Sequence, residues 1–331
     1  MGDVAQDARL DHFNCHALHV LPSPLFATAA LDGKPLDCEP EDMQRHMLIF
    51  GMGYTATRLA DTLRADGWLV TGTRRMSDGE AIAFDDQAAV LTALETATHI
   101  LSSVPPMSEG GDPVLQKYGV AIAASAARRT TWIGYLSSTG VYGDTGGAWV
   151  DESAPIGSGR RTARAEADLA WQALRDDVHV FRLPGIYGPG RSALERVVEG
   201  KAHRIDMPDQ IFSRVHVDDI VGAVIAAFDG RAGVYNIADD MPAPQNDVIT
   251  YACDLLHRDW PPLQSIAEAG LSLMARGFYA ENRRVANDKA KRLLNWVPQY
   301  TNYRLGLGAC MATTKPSIAN PPPASASIDQ T

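Results

Sequence analysis

Residues 47–56 read Met-Leu-Ile-Phe-Gly-Met-Gly-Tyr-Thr-Ala, an apolar run that leads into two glycines and then into a helical pattern. This order is typical of the turn between the first strand and the first helix of a dinucleotide-binding protein. The first glycine permits a tight turn, the second lets the backbone approach a pyrophosphate, and the small alanine lets the helix pack against its strand. An ordinary glycine turn in an α/β protein is the alternative. The stretch predicts cofactor contacts at Gly51, Gly53, Tyr54, Thr55 and Ala56.

The residues that follow the second predicted strand, at 67–72, indicate which dinucleotide is bound. An NAD site usually has an acidic residue there for the ribose 2′-hydroxyl, whereas this chain has Arg74 and Arg75. Guanidinium groups suit a 2′-phosphate, so we expect NADP to be preferred over NAD. The alternative is that both arginines are solvated surface residues.

A third short strand at 82–84 ends at Asp85, and two roles for this carboxylate stay open. It is placed to reach an adenine amino group of the cofactor. It is equally placed to cap the helix that begins near Gln87.

Strands and helices alternate along the chain, with further strands expected at 98–103, 131–138 and 178–183 and helices at 115–128 and 163–174. This alternation predicts an α/β fold: a doubly wound parallel sheet (Rossmann) with a smaller C-terminal substrate-binding part. Ligands of such sheets bind at the carboxyl ends of the strands. Segments 51–56, 103–106, 137–142 and 184–190 should therefore converge on one cleft, which adds Ser103 and Val104 to the expected cofactor contacts.

Composition divides the chain into four expected segments. Residues 1–46 have no clear period and no signal-peptide pattern, and they are expected to be a disordered extension. Residues 47–183 are expected to form the dinucleotide-binding Rossmann core, and 184–310 to be a mixed region that completes the core and forms the substrate lobe. Residues 311–331 become rich in Pro, Ser and Ala, which predicts a flexible tail.

Charge and cysteine content exclude several classes of protein. The chain has 331 residues, 45% of them hydrophobic, and a net charge of −10, which disfavours a nucleic-acid partner. No stretch suggests a membrane span. The four cysteines are scattered without paired spacing, so neither a metal site nor a disulfide framework is expected, and a cytoplasmic location is the default. The sequence does not indicate the oligomeric state.

Four motifs follow one another from residue 136 onward. They read Leu-Ser-Ser-Thr-Gly-Val-Tyr-Gly at 136–143, Arg-Leu-Pro-Gly-Ile-Tyr-Gly-Pro-Gly at 182–190, Arg-Val-His-Val-Asp-Asp at 214–219 and Asn-Trp-Val-Pro at 295–298. Together they resemble the extended short-chain dehydrogenases/reductases, the NAD(P)-dependent epimerase/dehydratase family, whose last motif usually begins with Gly. The resemblance implies that a nicotinamide is covered by Leu183, Pro184, Gly185 and Ile186.

The chain departs from this family where the family carries its catalytic Tyr-x-x-x-Lys pair. The corresponding window, 157–166, contains neither Tyr nor Lys and matches an atypical subgroup with a Ser-Gly-Arg stretch. Ser138 holds the position of the family's catalytic hydroxyl, and its alternative role is a cap at the strand end. Tyr142 is a candidate acid/base because it lies near the cleft mouth, and its alternative role is that of a packed aromatic with a satisfied hydroxyl.

The expected substrate contacts are Thr139, Arg160, Arg164, Arg191 and His216. Arg160, Arg161 and Arg164 could hold a substrate phosphate or the cofactor ribose in bidentate geometry, or they could form a solvated helix start. His216 could form a dyad with Asp218. The competing interpretation is that Asp218 or Asp219 caps a helix running to residue 228 while His216 supports the cleft.

These features predict a protein that binds NAD(P) and acts as an oxidoreductase, epimerase or dehydratase on a polar small molecule, with nucleotide sugars as one class. The alternative is a catalytically degenerate NADP-binding sensor or scaffold, which the missing Tyr and Lys favour.

Overall fold

The structure, a computed structural model, describes residues 44–125, 130, 132–157 and 162–313. The expected extension at 1–46 and the expected tail at 311–331 lie almost entirely outside the described residues. The last described helix continues to Thr313, two residues beyond the expected start of the tail at residue 311.

The strands, in chain order, are β1 (His46–Phe50), β2 (Leu69–Arg74), β3 (Ala81–Ala83), β4 (His99–Ser102), β5 (Trp132–Ser138), β6 (Trp149–Val150), β7 (Val178–Leu183), β8 (Gly185–Tyr187), β9 (Arg204–Ile205), β10 (Arg214–His216), β11 (Gly233–Asn236), β12 (Leu263–Gln264) and β13 (Arg284–Val285). The α-helices are α1 (Tyr54–Ala65), α2 (Gln87–Thr96), α3 (Pro113–Ser125), α4 (Thr162–Leu174), α5 (Ala193–Val198), α6 (Val217–Ala226), α7 (Gln245–Leu255), α8 (Leu273–Tyr279), α9 (Asp288–Leu293) and α10 (Tyr303–Thr313). A 3-10 turn, Thr139–Tyr142, follows β5.

The main sheet has seven parallel strands in the order β11-β7-β5-β4-β1-β2-β3. The strand order reverses direction between β1 and β4, which is the switch point where doubly wound sheets bind their ligands. The expected fold class is confirmed. The strand ends that lead into residues 51, 103, 138 and 184 all lie on the carboxyl edge of this sheet.

Alternate side chains of β1 enter the two layers that cover the sheet. Met47 and Ile49 belong to the layer that holds α1 and α6, whereas Leu48 and Phe50 belong to the layer that holds α2, α3 and α4. A strand covered on both faces reads as a continuous apolar run, and this is why 47–50 has no polar alternation.

The first strand begins one residue before the expected boundary of the core, at His46. Its backbone N–H donates to Thr98 Oγ1 (2.9 Å), and its ring nitrogens lie 3.0 Å from Thr96 Oγ1 and 2.9 Å from Thr71 Oγ1. β1 therefore begins one residue earlier than the sequence predicts, because a histidine does not extend an apolar run in the hydropathy pattern.

The smaller part of the structure packs α5, α7 and α10 around a second apolar cluster. Two short parallel pairs, β8 with β10 and β9 with β12, lie outside the main sheet. Asn295 adopts φ +51°, a left-handed backbone that Gly and Asn tolerate best. This geometry explains why Asn can stand where the family motif has Gly.

Candidate functional site

The turn after β1 is held in place by contacts with the segments beside it. Gly51 has φ +85°, and a Cβ placed on it would lie 2.8 Å from Val104 Cγ2. Its N–H donates to Thr73 Oγ1 (3.1 Å), and its carbonyl accepts from Ser103 Oγ (2.9 Å). The turn is therefore fixed by a neighbour on β2 and by the residues that follow β4, and only glycine fits at position 51.

Gly53 differs from Gly51, because a Cβ placed on it would meet nothing within 4 Å. Gly53 is the N-cap of the 12-residue helix α1, and no side chain caps this helix. The first N–H groups of α1, at the positive end of the helix dipole, therefore have no side-chain cap, and the space beside Gly53 is open. This arrangement fits a dinucleotide pyrophosphate, whose oxygens would satisfy those donors.

The two arginines after β2 are in different environments. Arg74 Nη1 pairs with Asp78 Oδ2 at 2.6 Å, so part of its charge is already compensated. Arg75 is exposed, and the described part of the chain offers its guanidinium no hydrogen bond or ion pair. Arg75 is therefore the freer of the two cations for a 2′-phosphate.

Asp85 is not the helix cap. Asp86 caps α2, since its side chain accepts from the Ala89 N–H at 3.1 Å. Asp85 is 82% exposed and pairs with Lys117 Nζ at 2.6 Å. Its proposed contact with adenine remains a prediction, and that contact would have to compete with the lysine.

Ser138 ends β5 at the carboxyl edge of the sheet and is half-buried. Its Oγ accepts a hydrogen bond from the Gly140 N–H at 3.1 Å and so caps the 3-10 turn. The cap and the catalytic role are compatible, because the hydroxyl still has a proton to donate. The neighbouring Thr139 is buried, with Oγ1 3.5 Å from the Leu183 carbonyl.

Tyr142 lies inside the protein. Its ring is 1% exposed, its hydroxyl donates to Asn236 Oδ1 (2.8 Å), and the same oxygen accepts from Arg182 Nη1 (2.9 Å). Burial raises the pKa of this phenol. The placement favours the packing role that the sequence had left open, because the hydroxyl is engaged on both sides.

A buried ion pair lies directly behind Ser138 and was missed by the sequence analysis. Arg182, on β7, donates to both oxygens of Asp168, on α4, with Nε and Nη2 at 3.1 and 2.8 Å. Ser137 Oγ (2.6 Å) and Gln172 Nε2 (2.7 Å) donate to the same carboxylate. The pair therefore ties β5, α4 and β7 together one residue away from Ser138. The sequence did contain one indication of this pair: Asp168 is a charged residue at a position where the helical spacing of α4 predicts a buried side chain.

The expected substrate contacts are dispersed. Arg160 lies outside the described residues, and Arg164 is half-buried on the first turn of α4. Arg191 is exposed, and its guanidinium carbon lies 5.6 Å from the centre of the Tyr54 ring. It is therefore beside the start of α1, on the cofactor side of the expected cleft.

His216 is buried, and burial lowers the pKa of its imidazole. Its Nδ1 accepts a hydrogen bond from the backbone N–H of Asp218 at 3.2 Å, which makes His216 the N-cap of α6. The expectation that Asp218 or Asp219 caps this helix is therefore wrong. The Asp218 carboxylate instead accepts from Arg58 Nε at 2.6 Å. No dyad geometry results, since Nδ1 faces a backbone donor.

A cleft of about 550 Å³ lies apart from these residues, lined by Trp149, Asp239, Asp240, Val285, Ala286, Asn287, Asp288 and Lys291. None of the expected cofactor or substrate contacts lines it. Burial raises the pKa of Asp239 to about 8. Among the residues described, no group of three His, Cys, Asp or Glu side chains is arranged to hold a metal ion. Over the same residues, every helix is too short or too polar to cross a membrane.

The chain is similar to proteins from several organisms, although no family model matches it. A conserved protein of unknown function from Silicibacter pomeroyi is 43% identical, with a TM-score of 0.75 over 82% of this chain and 99% of that one. A Streptomyces 3-diazoavenalumate denitrifying reductase is 28% identical over 290 residues, which are 76% of this chain and 94% of the reductase.

The human epimerase family protein SDR39U1, solved with NADPH, shares 18% identity, with a TM-score of 0.66 over 81% of this chain and all of that one. At this identity the likeness concerns the fold. The Silicibacter likeness is much closer and spans both parts of the structure. The chain therefore belongs to one family with the Silicibacter pomeroyi protein, and it has the fold of the extended short-chain dehydrogenases/reductases, the NAD(P)-dependent epimerase/dehydratases.

Proposed function

We propose that this protein binds a nicotinamide dinucleotide, NADP in preference to NAD, along the carboxyl edge of its sheet. The observation that carries the proposal is the turn at 51–53, where one glycine is locked by Val104 and the next opens onto uncapped helix donors. Packing within the protein does not require glycine at position 53, because a Cβ there would touch nothing. A phosphate that lies against the backbone supplies a reason for this glycine.

The preference for NADP rests on the positive charge after β2. Arg75 has no described partner, and Arg74 shares its charge with Asp78. A 2′-phosphate would accept charge-assisted hydrogen bonds from these groups, whereas a 2′-hydroxyl would leave them without a partner. No acidic residue stands at this position to bind the NAD ribose.

We further propose that the protein is an oxidoreductase, epimerase or dehydratase that acts on a polar small molecule. A nicotinamide bound at this edge would supply or accept a hydride. Ser138 would donate its remaining proton as a hydrogen bond to the substrate oxygen, since its lone pair already accepts from Gly140. Tyr142 would stay structural. The substrate proton would then travel through water or through a group held by Arg164.

The enzyme proposal is tested by Ser138→Ala, with Ser153→Ala as the matched control in an exposed loop. Ser138→Ala should leave NADPH affinity nearly unchanged and lower turnover by about tenfold or more, because the lost hydrogen bond acts on charge that develops during the reaction. The screen should include small carbonyl compounds and nucleotide sugars. It needs product analysis as well as nicotinamide absorbance, because an epimerase recycles its hydride.

Absence of turnover in that screen, together with tight NADPH binding, would overturn the enzyme proposal. It would leave a dinucleotide-binding sensor, the role that the missing Tyr and Lys at 157–166 favour. Equal turnover of the two serine variants would remove Ser138 from the mechanism.

A further inference from the structure

The segment that follows β8 is held against the first residue of α1. Tyr54 OH donates to the Pro189 carbonyl at 2.9 Å. Gly188 lies so close that a Cβ on it would come within 2.6 Å of the same hydroxyl and 2.7 Å of Val217 Cγ1. Residues 135 positions apart in the chain are thus joined beside the expected pyrophosphate site.

The segment 188–191 is itself a rigid turn. The Arg191 N–H donates to the Gly188 carbonyl at 3.0 Å, with Pro189 and Gly190 between them. Gly190 has φ +74°, and a proline followed by a left-handed glycine is the signature of a type II turn. The turn is anchored from its other side by Glu195, whose Oε1 accepts from the Gly190 N–H and Oε2 from the Ser192 N–H (2.9 and 2.7 Å).

Arg191 projects from this turn with its charge uncompensated. Its guanidinium carbon lies 5.6 Å from the Tyr54 ring centre, and the described residues provide it with no ion pair. The nearest acid in sequence, Glu195, is saturated by the turn itself. Arg58, which lies on α1 itself, is already bound to Asp218. A guanidinium that is fixed in place without an ion-pair partner beside a helix N-terminus is well placed to bind an anion.

We propose that Arg191 is a cofactor residue, which binds the pyrophosphate of the dinucleotide opposite the N-terminus of α1, and not a substrate contact. This inference rests on the proposed dinucleotide binding. The α1 donors would hold the phosphate oxygens from the protein side, and the guanidinium would approach them from the solvent side. The 188–191 turn would hold this guanidinium in position.

The test is the affinity of Arg191→Ala for three probes, NADPH, NADH and ADP-ribose, measured by calorimetry. All three contain the pyrophosphate, so each should bind about tenfold more weakly than to the parent protein. Arg191→Lys should retain part of the affinity. Arg196→Ala, which removes the same charge from an exposed site on α5, should change nothing. Arg75→Ala should weaken NADPH binding alone.

Affinities of Arg191→Ala within about twofold of the parent for every probe would overturn the inference. A raised KM for substrate with unchanged NADPH affinity would also overturn it, since that pattern belongs to a substrate contact. Failure of the parent protein to bind any of the three probes would refute the proposed function, and this inference with it. A thermal melt of each variant excludes loss of folding as the cause.

Discussion

The buried pair of Asp168 and Arg182 should be a main determinant of stability near the candidate site. Asp168 is fully buried and Arg182 is 3% exposed, so water cannot replace either partner. Asp168→Asn keeps the side-chain shape but removes the negative charge. It also points an amide donor at positions now occupied by guanidinium and hydroxyl donors.

The expected loss is about 3–5 kcal/mol in the free energy of unfolding, the range for a buried charge that loses its partner. Ser137 Oγ and Gln172 Nε2 also donate to this carboxylate, which supports the upper part of that range. The pair Lys201–Glu199 provides the matched control: its Nζ–Oε2 distance is 2.9 Å, but the side chains are 70% and 53% exposed. Glu199→Gln should cost less than about 1 kcal/mol.

Urea unfolding of both variants, followed by far-UV circular dichroism, measures the difference. Asp168→Leu combined with Arg182→Met should recover part of the stability lost in Asp168→Asn, because no unpaired charge then remains buried. The reasoning is refuted if Asp168→Asn costs as little as Glu199→Gln, since burial would then not govern the strength of the pair.

Two further predictions concern the glycine turn and pH. Gly53→Ala should weaken NADPH binding but change the free energy of unfolding by less than about 1 kcal/mol. Gly51→Ala should weaken binding and in addition destabilise the fold, because φ at this position is +85° and a Cβ there would meet Val104. Equal stability of the two variants in urea would contradict this. Burial lowers the pKa of His99 to about 4, below that of an unfolded histidine, so the unfolded chain takes up the proton first and stability falls as pH decreases. His99 alone should lower the free energy of unfolding by about 2 kcal/mol between pH 7 and pH 5. If the free energy of unfolding of His99→Leu depended on pH as steeply as that of the parent protein, this prediction would be wrong.

The local parts of the fold were predictable from the sequence. The apolar run of β1, the glycine turn and the spacing of α1 are each encoded within a few residues, and the parallel sheet follows from their repetition. The strand at 178–183 was predicted with its observed bounds. Asn295 was noticed only as a departure from a motif, and the left-handed backbone gives its reason.

The less predictable features depend on contacts between distant residues. Asp168 meets Arg182 only after α4 packs on the sheet, and Arg191 meets Tyr54 across 137 positions of chain. His216 caps α6 with an imidazole nitrogen, a role that a sequence pattern assigns to Asp or Ser. Single-sequence patterns report periodicity and turn chemistry, but they do not identify which side chains meet in the folded protein.

The turn at 51–56 is proposed to bind a nicotinamide dinucleotide, with a preference for one that carries the 2′-phosphate. Calorimetric titration of the parent protein with NADPH and with NADH tests it most directly. We expect saturable binding of NADPH, at least about tenfold tighter than that of NADH. Equal affinities would contradict the preference for NADP, and the absence of saturable binding of both would contradict the claim itself.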